Sequence, residues 1–295
     1  MKHFKRILLG CLGLFLLAVV AIVATVGIML SLGPPEQHPE ESTSNQALDT
    51  PRLPPAADPA PGEVSIPPVS LVVKLDLSEG QFRVKPGQPG EGIRIDAKYD
   101  SGVYALEQEH QPGANGEEVV TIRFYSKYSI LRRLLTLGPD AVEEAENRID
   151  IYLPPDIPMK LQGSVSMGES DLDLSGLPMT GLDMSLTAGE HRVSFDDPNP
   201  LGMEELRLYL SKGEFRALGL GNAHFRTADI QGSMGEATVD LTGDYYADAS
   251  AVTRFRMGEM RVSVPDDIHV NIHDTGVFLG GLNKRVRDSG DIPED

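Results

Sequence analysis

The dipeptide Gly-Glu occurs at Gly168, Gly189, Gly213, Gly235 and Gly258, each time inside a run of alternating apolar and polar residues. The spacing is 21 to 24 residues. A period of that size is the signature of a stacked repeat, in which each unit buries its apolar face only against its neighbours. Aligned on the glycines, Val165, Leu186, Leu210, Gly232 and Phe255 fall three residues before. Leu172, Val193, Ala217, Val239 and Val262 fall four residues after. Alternation on both sides of a glycine predicts two half-buried strands meeting at a bend, with glycine supplying the positive φ. The runs flanking Gly80 ("SLVVKLDL", "QFRV") and Gly102 ("IRIDAKY", "VYAL") share this form. The third unit breaks phase at Gly219, in "ALGLG", where a bulge is expected.

The constant period and the phase shared between half-units favour an all-β, β-solenoid-like domain over residues 69–282. The competing arrangement is an antiparallel meander or sandwich with each Gly-Glu as a hairpin turn. One stretch interrupts the repeat. Residues 129–147 put Ile130, Leu131, Leu134 and Leu135 on one helical face, and the following "PDAVEEAENR" opens with proline and acidic residues. A short helical insertion packed on an open side of the sheet is expected there.

Ahead of the repeat, residues 7–32 carry no charge, enough for a helix longer than the ~30 Å bilayer core. A cleaved signal has a shorter apolar region. Residues 1–32 are therefore read as a basic stub and a single transmembrane anchor in the lipid bilayer. Lys2, Lys5 and Arg6 keep the N-terminus cytoplasmic and place the remainder outside, at the cell membrane's outer face. Residues 33–68, rich in proline and acidic groups, read as an extended spacer. Residues 283–295 form a polar tail. Cys11 is the one cysteine, so no intrachain disulfide forms.

The net charge of -18 excludes a phosphate-binding surface of the kind nucleic acids need. The glutamates following the repeat glycines, Glu169, Glu190, Glu214, Glu236 and Glu259, stack about 4.8 Å apart in a solenoid. Two residues further come Asp171, Arg192, Arg216, Thr238 and Arg261, so three units carry a neutralising arginine. A solvated, ion-paired face is the expected result. The weak metal candidates are the two units without arginine, at Glu169/Asp171 and Glu236/Asp240. Further weak candidates are His269, Asn271 and His273 on one strand face, and the "FDDPNP" segment from Asp196 to Asn199, which is otherwise a turn. His191 and His224 are isolated. The sequence carries no G-x-S-x-G elbow, Walker loop or H-E-x-x-H, and no cofactor motif. The chain is read as non-enzymatic.

"IDIYLPPDIPMKLQGSVSMGESDLDLSGLPMTGLDMSLTAGEHRVSF" (149–195) resembles bacterial cell-envelope β-repeat domains. These are the adhesin-like or toast-rack domains, found also in regulators of the response to cell-wall-active antibiotics. The resemblance rests on Leu-Pro-Pro-x-x-Pro at 153–158, the repeated Gly-acid bend and "VSVPDDIHVNI". It implies envelope sensing or scaffolding, with an envelope protein or glycan as partner. The alternative is an adhesin or surface-glycan-binding module, for which Tyr209, Tyr245 and Tyr246 are the candidate aromatics. Family regulators often have several membrane helices, whereas one is expected here.

Overall fold

The computed structural model describes residues 39–46, 70–114, 116–128 and 147–265, the first of these as backbone only. The expected membrane anchor, the insertion up to residue 146, the His269/Asn271/His273 strand and the polar tail lie outside the described residues.

The repeat residues form long parallel strands stacked in register. They are β2 (Leu71–Pro86), β7 (Met159–Asp173), β8 (Met179–Ser194), β9 (Met203–Leu218), β10 (Phe225–Asp240) and β11 (Ser250–Ser263). Gly80 pairs with Gly168, Gly168 with Gly189, Gly189 with Gly213, Gly213 with Gly235, and Gly235 with Gly258. The parallel ladder realises the solenoid-like expectation and excludes hairpins at the Gly-Glu pairs, because a hairpin pairs its two arms antiparallel.

Each of these six rungs is one continuous strand of 14–16 residues, not two short ones. The glycine bends it without ending it. In β9 the buried side chains are Met203, Leu206, Leu208 and Leu210 before the bend, then Phe215 and Ala217 after it. Phe215 comes five positions after Leu210, an odd step, so the inward parity flips at Gly213, whose φ is +129°. The turn of the backbone at that φ keeps both halves facing one core. Val165, Leu186, Leu172, Val193, Leu206, Ala217 and Val239 all belong to one buried cluster.

The first rungs are assembled out of chain order. β5 (Glu118–Ser126) pairs with the first half of β2, and β6 (Arg148–Leu153) with its second half. Together they make one rung, and residues 129–146 enter where that rung's corner falls. Asn147 stands there in place of a glycine, next to Gly80. The antiparallel pairings among the described residues are β3 (Ile93–Asp100) on β6, β4 (Tyr104–Pro112) on β5, and β1 (Pro39–Gln46) on β3. Gly102 therefore sits in a tight turn between β3 and β4, its N–H bonded to Asp100 Oδ1 at 2.8 Å, and is not part of the glycine column. Tyr99, Phe124, Tyr104 and Phe82 pack face-to-edge and stacked at this end, with centroids 5.3–6.0 Å apart.

Two expectations are corrected. Residues 39–46, expected within an extended spacer, form β1 (Pro39–Gln46), paired antiparallel with β3. Their composition offers little to bury, but β3's free edge supplies backbone partners, which composition alone does not reveal. The phase break at Gly219 is not a bulge. Gly219, in the left-handed region at φ +62°, opens a short 3-10 turn, Leu220–Ala223, which places Leu220 in the core.

Candidate functional site

The residues after each glycine form two ladders. The outward ladder holds the repeat glutamates and, two residues on, the arginines. Arg216 binds Glu214 within its own strand, and Arg261 binds Glu259 at 2.7 Å. Arg192 reaches Asp171 of the preceding rung at 3.9 Å. Between the Arg216 and Arg261 rungs the shorter Thr238 leaves a shallow cleft of about 290 Å³, lined also by Glu236.

The candidate cation ligands are on this solvated face. Glu169 and Asp171 are exposed, and Asp171 faces Arg192. Asp240 Oδ1 accepts the Thr242 N–H at 3.0 Å and so closes the turn after β10. Among the described residues no three His, Cys, Asp or Glu side chains come together in a metal-binding group. Glu214→Gln is expected to change stability by less than about 0.5 kcal/mol, because an exposed pair competes with water. In parallel thermal melts, calcium is expected to give no saturable rise over chelator. A rise abolished by Glu236→Gln would restore the cation reading.

The inward ladder two residues after each glycine reads Phe82, Ser170, His191, Phe215, Ala237 and Met260. His191 is 5% exposed, and its Nδ1 lies 2.9 Å from Ser170 Oγ on the neighbouring rung. Its Nε2 is buried without a partner in the described structure. Burial disfavours the imidazolium and pushes the His191 pKa down to about 4. The folded state thus holds His191 neutral, while the unfolded chain binds a proton below about pH 6.5. Its contribution is complete above pH 6.5 and is lost as pH falls toward 4, at a cost of about 2–3 kcal/mol. Urea titrations at pH 7 and pH 4.5 are expected to show this loss, and His191→Phe to reduce it. An unchanged pH slope in that variant would remove His191 as the cause.

His224 is also buried, in the left-handed conformation at φ +53°, with its ring 3.9 Å from that of Tyr246. Burial lowers its pKa as well. Tyr245 donates to the Leu241 carbonyl at 2.6 Å, and burial raises its pKa to about 12. Of the three candidate aromatics, two are thus committed to packing the loop after β10. Tyr209 alone faces outward, between Ser185 and Gln231 on the neighbouring rungs. They do not form a row.

The "FDDPNP" segment is a bend whose key residue is Asn199, fully buried. Its Oδ1 accepts from the N–H groups of Met179 and Leu201, and its Nδ2 donates to the carbonyls of Met179 and Ala223, all at 2.8–3.1 Å. Asn222 repeats the device one rung later, donating to Phe195 O at 2.8 Å and accepting from Asp244 N at 2.9 Å. Asp196–Asn199 was expected to be a turn and, more weakly, a cation site. The 23-residue interval between Asn199 and Asn222, which is the rung period, was the available signal.

An in-register parallel stack with bent rungs, inter-rung asparagines and an ion-paired outer ladder defines a β-repeat protein. Residues 68–200 match the family model described as the N-terminal domain of toast_rack, DUF2154. Over that stretch, a little under half of its length, the chain is similar to toast-rack N-terminal domains. No curated protein matches the chain. Three solved structures are similar in arrangement, each 12% identical. One is a candidate cell adhesion protein from Clostridium sporogenes, matched over 77% of this chain and 99% of that one at a TM-score of 0.47. A candidate lipid binding protein from Parabacteroides distasonis matches over 77% and 97% at 0.30. A candidate adhesin from Parabacteroides merdae matches over 76% and 95% at 0.21. Likenesses of this degree do not bear on what the present chain does.

Proposed function

We propose that this chain is a membrane-anchored, extracytoplasmic β-repeat protein without catalytic activity that scaffolds or senses the bacterial cell envelope. The observation that carries the reading is the in-register stack. It makes a stiff body whose outward residues repeat about every 4.8 Å, a surface suited to extended contact with a large partner. The uncharged run at 7–32, preceded by Lys2, Lys5 and Arg6, supports a single anchor with the repeat outside. The scattered aromatics weigh against the alternative of a surface-glycan-binding module, which would use a row of exposed rings.

A reporter fused after residue 60 tests the topology and is expected to be active only in its exported form. A photo-crosslinking residue at Thr238, on the outer ladder, tests the role and is expected to give a discrete adduct with an envelope protein in living cells. Cytoplasmic reporter activity would overturn the orientation. Retention of the protein on purified wall glycan, with no protein adduct, would replace scaffolding by adhesion.

A further inference from the structure

Three of the corner glycines are preceded by methionine, in Met167-Gly168-Glu169, Met234-Gly235-Glu236 and Met257-Gly258-Glu259. The register stacks these positions in one column along the corner, which reads Glu79, Met167, Ala188, Lys212, Met234 and Met257. The column sets no apolar requirement, since glutamate, alanine and lysine also occupy it. Its methionines are 51%, 47% and 47% exposed, whereas Met159, Met179, Met184 and Met203 are fully buried. Packing accounts for the second group and not for the first.

Met234 and Met257 are direct register partners on β10 and β11. Each stands immediately before a glycine of nearly equal φ, +122° at Gly235 and +116° at Gly258, so the two side chains leave the backbone in the same direction. In-register neighbours of a ladder lie about 4.8 Å apart. Two metal–sulfur bonds of about 2.3 Å placed in line span about 4.6 Å. The stack thus carries two thioethers at the spacing that a linear, two-coordinate cation bridges, and the three rotatable bonds of methionine take up the remainder. Thioethers are soft donors, suited to copper(I) and not to hard cations such as calcium or magnesium. The added positive charge falls near Glu236, which forms no ion pair among the described residues, in contrast to Glu214 and Glu259.

We propose that Met234 and Met257 form a site for a soft monovalent cation, copper(I), bridged between the thioethers of adjacent rungs. Met167 is the internal contrast. Its register neighbours are Glu79 and Ala188, so it offers one thioether and no chelate. At the pair, the second metal–sulfur bond is intramolecular and adds affinity that a lone thioether lacks.

The test is a silver(I) titration of the full-length protein in detergent and chloride-free buffer. Silver(I) stands in for copper(I) and is stable in air. A Cys11→Ser background removes the competing thiol. The readout is the set of isotope-labelled methionine methyl signals. The Met234 and Met257 methyls are expected to shift together and saturate at one ion per chain, with Met167 responding only at tenfold or more silver. Met234→Leu and Met257→Leu are each expected to weaken binding at the surviving thioether at least tenfold. Leucine matches methionine in volume and the positions are exposed, so both variants keep the fold. Met167→Leu is expected to leave the pair unchanged. Copper(I), added without oxygen against a chromogenic chelator, is expected to follow the same order. Titration of all three methionines with one affinity would overturn the proposal, as would pair binding that survives either leucine substitution. Silver held on histidines with the methionine methyls unmoved, or silver binding that copper(I) does not reproduce, would equally refute it.

Discussion

Gly213→Ala is expected to destabilise the protein by about 3–5 kcal/mol. Two costs combine. Gly213 has φ +129°, a region closed to residues with a Cβ. In addition, a Cβ on Gly213 would lie on the carbonyl oxygen of Gly189, far inside van der Waals contact. That oxygen belongs to backbone held by the ladder, so it cannot move away as a flexible side chain would. The same collision recurs from Gly168 against Gly80 to Gly258 against Gly235. Gly176→Ala separates the two costs. Gly176 also has positive φ, at +65°, but open space surrounds its Cβ direction. It is expected to lose only about 1 kcal/mol. Urea unfolding of both variants decides the matter, and equal losses would mean that the stacked glycines are conformational, not steric.

Asn199→Ala is expected to cost about 3–4 kcal/mol. The fully buried side chain satisfies two N–H groups and two carbonyls, and each buried backbone group left unpaired costs about 1–3 kcal/mol. Met179 N–H keeps a second acceptor in Leu177 O at 2.8 Å, which holds the loss below the full sum. Asn199→Asp retains the acceptor and removes both donors, so it is expected to be no better tolerated. Thermal melts of the two variants test this. A loss below about 1 kcal/mol for Asn199→Ala would show that the inter-rung bonds are replaceable.

The ordering of effects follows burial. Glu214 and its arginine meet in solvent and can be lost cheaply, whereas Gly213, beside Glu214 in sequence, cannot accept one carbon. The recurring Gly-Glu pair thus joins a structural residue to a surface residue.

The sequence by itself determined the period, the glycine positions and the inward columns, because alternation and spacing are local properties of a chain that buries one face. The position of His191 was legible in the same way: two residues after Gly189, it shares the parity of Val193. The five-residue step from Leu210 to Phe215 also marked a corner in advance. Tertiary structure alone decided the rest. Whether the halves of a unit pair with each other or with the next unit depends on non-local backbone hydrogen bonds, which leave no trace in side-chain periodicity. The same holds for the split rung of β5 and β6, assembled on β2 after the chain has already passed it. It holds again for Asn199, whose four bonds exist only once successive loops are stacked within 3.1 Å of its amide. The severity of the glycine requirement belongs there too: positive φ is a property of one residue, but the carbonyl that excludes a Cβ comes from the rung below.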